Sequence, residues 1–266
     1  MKIDKVIFTI DDNPHYKGFW SSISRHYKER LKMEPVLYII GDKTITNINS
    51  YDKTYGEVRF IEKVTNVPTI IQALIGKFYF TIFEPETTWL IGDLDLYPLQ
   101  KFHFIDRLVP VDDQKYVHLN PFAYGVDWRN SYKGLAGYFH AAKGKIFSSE
   151  LKFDNKTFAD VCNEIYNSTK YGIKFYGLPA GKESKSASSD WGWFCCEEMY
   201  TGELLSKSSN LVELNPVNNK YLRVDRSTMS YDVDNLSNGV YIDFHAPRPY
   251  ESHQEIIEFI ISKIPH

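Results

Sequence analysis

Two aspartates separated by one leucine, Asp93-Leu94-Asp95, follow the apolar run Thr88-Trp89-Leu90-Ile91 and precede Leu96-Tyr97-Pro98. Carboxylates at that spacing can meet a hard divalent cation, directly or through water. An ion held this way keeps positions for phosphate oxygens and neutralises charge on a departing diphosphate, which is Lewis-acid and template chemistry. Asp-x-Asp is also an ordinary tripeptide at strand-to-turn junctions, where Asp bonds to nearby backbone. Its place directly after a buried strand favours the metal reading, because ligands of open α/β sheets gather outside the carboxyl ends of strands.

Such a site needs elements to position it, and the first half of the chain supplies them in alternation. Residues 6–10 are an apolar, β-branched run followed by the polar loop Asp11-Asp12-Asn13-Pro14. A helix is expected over about 17–31, with Phe19, Trp20, Ile23, His26 and Tyr27 on one side. Short strands are expected at 36–40 and 58–61. Pro68 opens a helix to about residue 80, in which Ile70, Ile71, Leu74, Ile75 and Phe78 recur at helical spacing. The fourth strand, 88–91, leads into the aspartates. Continuous apolar strands separated by helices predict an α/β fold with a mostly parallel sheet covered on both faces.

The second half is less regular. Residues 137–147 read as a strand followed by a turn, 157–171 as a helix, and 191–205 as another. Residues 177–189 form a loop rich in Gly, Ser and Lys. The C-terminal run 256–261 is short and interrupted by Glu258, so it predicts the buried face of a last helix rather than a membrane span. At 266 residues the whole chain fits one domain.

Composition narrows the function. Lys+Arg 31 against Asp+Glu 34 lacks the basic surplus that displaces counterions from duplex nucleic acid, so no nucleic-acid partner is expected. The three cysteines, Cys162, Cys195 and Cys196, cannot build a disulfide framework and favour a reducing compartment. With no leader-like or membrane-spanning stretch, the expectation is a soluble cytoplasmic enzyme of a bacterium or a virus-infected cell. Aromatic residues make up 15% of the chain. Phe19, Trp20, Phe78 and Trp89 are expected in the core, and such a surplus also suits a stacking surface for flat or sugar-like ligands.

Taken in order, these motifs resemble the GT-A family of nucleotide-sugar glycosyltransferases. The resemblance rests on the first strand and its polar loop, the helix before Asp93-Leu94-Asp95, the small residues of 137–142, Asp190 ahead of Glu197 and Glu198, and Asp243-Phe244-His245-Ala246-Pro247 near the end. It implies a GT-A-like (Rossmann-like) single domain, a nucleotide diphosphate sugar donor, a saccharide or related glycan acceptor, and Mn²⁺ or Mg²⁺ as cofactor. It further implies that Asp95 contacts the metal, Asp93 the metal or the ribose, and His245 completes the coordination; an imidazole ligand leans toward Mn²⁺. Thr9, Asp11 and Asp12 would receive the nucleotide, in a nucleotide and metal half of residues 1–100; residues 101–266 would be the acceptor half, where Trp128, Tyr132, Tyr138, Trp191 and Trp193 are candidates to pack against sugar faces.

Glycosyl transfer develops positive charge on the sugar ring and negative charge on the leaving diphosphate. An inverting enzyme needs a carboxylate to deprotonate the acceptor hydroxyl; a retaining one needs a group on the opposite side or a leaving-group oxygen as base. Asp190 is the leading base, with Glu197 and Glu198 behind it, although Asp190 suits a helix N-cap equally well. Lys143, Lys145, Arg223, Arg226 and Arg248 are candidates to reach the diphosphate, Arg248 foremost. Residues 177–189 are a candidate lid. Two other readings stand beside this one. A haloacid-dehalogenase-like phosphatase would use Asp93 as nucleophile and Asp95 as acid/base, and a binding module would keep the fold without turnover.

Overall fold

In a computed structural model of the chain, the described residues are 1–11, 13–44, 46–121, 135–167, 202, 204–215 and 222–265. Strand β1 (Lys5–Ile10) is the centre of the main sheet. Its side chains alternate: Val6, Phe8 and Ile10 enter one core cluster, while Ile7 enters the other. Both faces are therefore dry, which is why the strand reads as an unbroken apolar run. β1 pairs in parallel with β2 (Glu34–Gly41) and β4 (Thr88–Ile91), and β2 pairs in parallel with β3 (Glu57–Glu62). Beyond β4 lie β7 (His140–Lys143), β6 (Tyr116–His118) and β8 (Leu211–Glu213), giving the order β3-β2-β1-β4-β7-β6-β8. Only β7 runs against its neighbours. This is the expected mixed, mostly parallel sheet flanked by helices.

A smaller sheet is built from β5 (Leu96–Pro98), β10 (Asp243–His245) and β9 (Arg223–Asp225). The chain leaves the main sheet after β4, turns through Asp93–Asp95 and enters β5; the turn is closed by the Leu96 amide donating to the Asp93 carbonyl at 3.1 Å. Leu96, Tyr97 and Phe244 of the small sheet share a core cluster with Val6 and Phe8 of the large one. The two sheets are thus continuous through packing.

On one face, α1 (Pro14–Lys17) precedes the stretch expected as a single helix over about 17–31, which divides into α2 (Phe19–His26) and a π-helical turn, Tyr27–Leu31. Asn13 caps α1 by accepting from the His15 amide, with Pro14 preorganised at its first position. The π turn ends at Lys32, whose φ of 58° is left-handed. The expected apolar side is correct: Phe19, Trp20, Ile23, His26 and Tyr27 are all buried. On the opposite face, α3 (Thr69–Tyr79) turns Ile71, Ile75 and Phe78 into the core.

One expectation needs correction. After β7 the chain does not turn but enters a helix, Gly144–Leu151. Phe147 and Leu151, one helical turn apart, are its buried residues together with Gly144. Gly144 is required there, since a Cβ would lie 2.1 Å from the Thr81 carbonyl oxygen. The C-terminal helix Tyr250–Ser262 is present and buries Ile257, Ile260 and Ile261. Among the described residues no helix is long and apolar enough to cross a membrane.

Candidate active site

The carboxyl ends of β1 and β4, the side of α3 and the small sheet enclose a cleft of about 450 Å³, within the usual size of a ligand site. Thr9, Asp11, Asp93, Asp95, His245 and Arg248, separated by up to 239 positions, all line it. Of the residues expected at the site, Asp12, Asp190 and Glu197 lie outside the described residues. So do Glu198, Trp128, Tyr132, Trp191, Trp193 and the segment 177–189.

The two aspartates have different surroundings. Asp93 is one-third exposed and accepts from Lys77 Nζ at 2.6 Å, whose own side chain is only 5% exposed. Asp95 is 7% exposed and turned toward the small sheet. Its Oδ2 lies 2.8 Å from Arg226 Nη1, 3.3 Å from Arg248 Nε and 3.5 Å from His245 Nε2. Its backbone carbonyl accepts from the Ala246 amide at 2.8 Å, so strand β10 is fastened beside it. Burial alone would raise the Asp95 carboxyl, but the hydrogen bond from His245 and the charges of His245, Arg248 and Arg226 outweigh it. Asp95 therefore stays ionised below the ordinary carboxylate range.

The imidazole is oriented from behind. His245 Nδ1 lies 3.4 Å from Asp225 Oδ2, leaving Nε2 directed at Asp95. A carboxylate behind a ring nitrogen sets the tautomer and aims the other nitrogen, the usual support for a metal-binding histidine. Arg248 is fixed at two points: it donates to the Tyr16 hydroxyl and its guanidinium lies 5.0 Å from the Tyr16 ring centroid. Burial, followed by the charge of Asp95, pushes the Tyr16 phenol well above its ordinary value, so it remains protonated.

On the β1 side, Asp11 Oδ2 accepts from Thr69 Oγ1 at 3.0 Å and Oδ1 accepts from the Asn13 amide at 3.2 Å. Thr9 lines the cleft, but its hydroxyl donates to the Ala73 carbonyl, so its role is to tie β1 to α3. Tyr138, expected on the acceptor side, reaches the cleft and accepts from Arg223 Nη2 at 3.1 Å.

The basic candidates divide. Arg226 and Arg248 line the cleft; Lys143 and Lys145 do not, being paired with Asp113 at 2.5 Å and Glu86 at 2.9 Å. Arg223 is committed to the buried Asp243, with contacts of 2.7 and 2.8 Å. Lys77, Tyr16 and Asp225 escaped the sequence reading. A signal for Lys77 was present, since it is the one charged residue in the apolar helix TIIQALIGKFY, and a lysine is rarely buried unless it is paired.

A divalent ion fits part of this donor set. Asp95 Oδ2 and His245 Nε2, a hard oxygen and an imidazole 3.5 Å apart, are close enough to share one ion with bonds of about 2.1 Å. Asp93 lines the same cleft. Among the described residues no three His, Cys, Asp or Glu side chains form a complete metal cage; a site of this kind leaves its other positions to water and phosphate oxygens.

By sequence, no protein-family model and no curated protein matches the chain. By structure it is similar to the galactosyltransferase LgtC in complex with donor and acceptor sugar analogues. That similarity has 12% identity and a TM-score of 0.46, over 98% of this chain and 96% of that one. An active-site mutant of LgtC is similar at 10% identity and a TM-score of 0.46, over 91% of this chain and 86% of the other.

Proposed function

We propose that the chain is a metal-dependent glycosyltransferase of GT-A type, moving a sugar from a nucleoside diphosphate to a saccharide or related acceptor. The observation that carries this reading is the meeting of Asp93 and Asp95, at the strand end, with His245, Arg226 and Arg248 in one cleft. Charge arithmetic agrees with it. Lys77, Arg226 and Arg248 balance Asp11, Asp93 and Asp95, so a divalent cation and a diphosphate entering together leave the cleft near neutrality.

In this reading Asp95 and His245 hold the ion, with Asp93 beside them, and Mn²⁺ suits the imidazole better than Mg²⁺. When bound, the ion supplies Lewis-acid neutralisation of the leaving diphosphate. Arg248, braced by Tyr16, presents a guanidinium to the phosphates. Asp11 and the end of β1 face the nucleoside, and Tyr138 faces the acceptor. Asp190, with Glu197 as the alternative, takes the proton from the acceptor hydroxyl.

The test is a thermal-shift panel of nucleoside diphosphates and nucleotide sugars, each with and without Mn²⁺. A ligand at one hundred times its Kd stabilises the native state by about 2.7 kcal/mol, so one base should raise Tm by several degrees, and more with Mn²⁺. A flat response to every member would overturn the proposal.

A further inference from the structure

Three basic side chains converge on a single oxygen, Asp95 Oδ2, and they are not equivalently held. His245 is oriented by Asp225. Arg248 has Tyr16 as a second anchor. Arg226 has only Asp95 among the described residues, and its side chain is 31% exposed. Its backbone is nevertheless fixed: Asp225 Oδ1 accepts from both the amide and the hydroxyl of Ser227, at 2.8 and 2.6 Å. Arg226 is thus a flexible arm on a rigid base, tethered at its tip by the oxygen that the proposed metal site requires.

Resting on the glycosyltransferase reading, we infer that Arg226 is a displaceable counter-ion that couples metal binding to donor binding. Arg226 and a divalent cation compete for Asp95 Oδ2, because the two positive charges repel and the oxygen cannot serve both at close range. Arrival of the cation releases the guanidinium, which stays inside the same cleft and takes a diphosphate oxygen. The arm therefore opposes the metal when no diphosphate is present and assists the diphosphate once the metal is in place. Arg248 does not exchange in this way, because leaving Asp95 would also break its contact with Tyr16. In this scheme Arg226 touches the diphosphate itself, and its effect on the two ligands has opposite signs.

That opposition makes the scheme testable without turnover. Mn²⁺ binding without nucleotide is followed by the electron paramagnetic resonance signal of the free ion, and UDP and GDP binding by calorimetry at saturating Mn²⁺, for the unmodified protein, Arg226→Gln and Arg226→Lys. Arg226→Gln should bind Mn²⁺ about tenfold more tightly and its nucleoside diphosphate about tenfold more weakly, a coupling of ordinary size. Arg226→Lys keeps the charge and should leave Mn²⁺ affinity near that of the unmodified protein. A merely structural role would weaken both ligands together, and that result would overturn the inference. Unchanged Mn²⁺ affinity in Arg226→Gln, with Mn²⁺-dependent nucleotide binding intact in the unmodified protein, would sink the Arg226 scheme and leave the donor reading standing. Failure of the unmodified protein to bind Mn²⁺ and every nucleotide would sink both.

Discussion

On one wall of the cleft, Thr9 lies near the end of β1, Asp11 follows it and Lys77 projects from α3; on the other, Arg226 follows β9, His245 ends β10 and Arg248 lies in the loop beyond. The first wall is made of consecutive strand and helix units whose core residues are almost fully buried. Its polar groups are there because parallel strands end there. The second wall is a three-stranded sheet whose strands pair over three residues each, with Arg223 and the buried Asp243 joining two of them. Asp93 and Asp95 stand between the walls and divide their loyalties, Asp93 to Lys77 and Asp95 to the small sheet. The contrast suggests a rigid wall that sets position and a salt-bridged wall that carries the exchangeable charge.

The sharpest way to break this contrast is to remove each aspartate in turn. Under the proposed function, Asp95→Ala should lower donor cleavage by about a thousandfold or more, because it removes a ligand of the proposed charge-neutralising ion. Asp93→Ala should cost much less, about ten- to a hundredfold. Both variants should keep their circular dichroism, and a larger loss for Asp93→Ala would reverse the assignment.

Arg223→Met tests how the second wall is fastened. It leaves the Asp243 carboxylate buried without its guanidinium, so urea denaturation should show a loss of about 3 kcal/mol. A loss below 1 kcal/mol would mean that the small sheet is held by packing alone.

Acid should affect the same region through neutral histidines. His26 joins α2 to the small sheet, its Nε2 lying 2.7 Å from the Pro98 carbonyl oxygen. Burial lowers its pKa to about 4; His103 and His140 are lowered by burial as well. Below about pH 6.5 the unfolded chain takes up protons that the native state refuses. Stability is therefore complete above that pH and declines as pH falls toward 4. His26 alone should account for about 2 kcal/mol between pH 7.5 and pH 5. A Tm that does not change over that interval would refute the neutral state, and His26→Gln should flatten part of the slope.

The smallest effect is expected at Lys77. Lys77→Met should preserve the fold, because its partner Asp93 remains one-third exposed. It should lower kcat/KM about tenfold, the value of one charge-assisted hydrogen bond. A pH or metal dependence unaltered in this variant would restrict Lys77 to holding Asp93 in place.

Much of the first wall was legible in the chain. The apolar runs at 6–10 and 88–91, the helix before Asp93 and the aspartates themselves announce a strand end with chemistry on it. His245 and Arg248 were legible as candidates only through a family resemblance. Lys143 and Lys145 were misjudged because a lysine after a strand carries no mark of whether it faces a cleft or, as here, Asp113 and Glu86. The helix that begins at Gly144 was missed because its Cβ-free contact with the Thr81 carbonyl is set by a segment 63 residues earlier.

By itself, the sequence determined that a mostly parallel sheet would be buried on both faces and that two carboxylates would sit past the carboxyl end of one of its strands. Both follow from local side-chain period and the solvent preference of apolar groups. What only the tertiary structure decided is which cations meet those carboxylates. Strand β10 pairs antiparallel with β5, placing His245 opposite Leu96 and beside Asp95. Arg226, 131 residues from Asp95, arrives with the neighbouring strand. Strand pairing between distant segments is settled by backbone hydrogen bonds and shared core packing, and short-range residue patterns do not encode it.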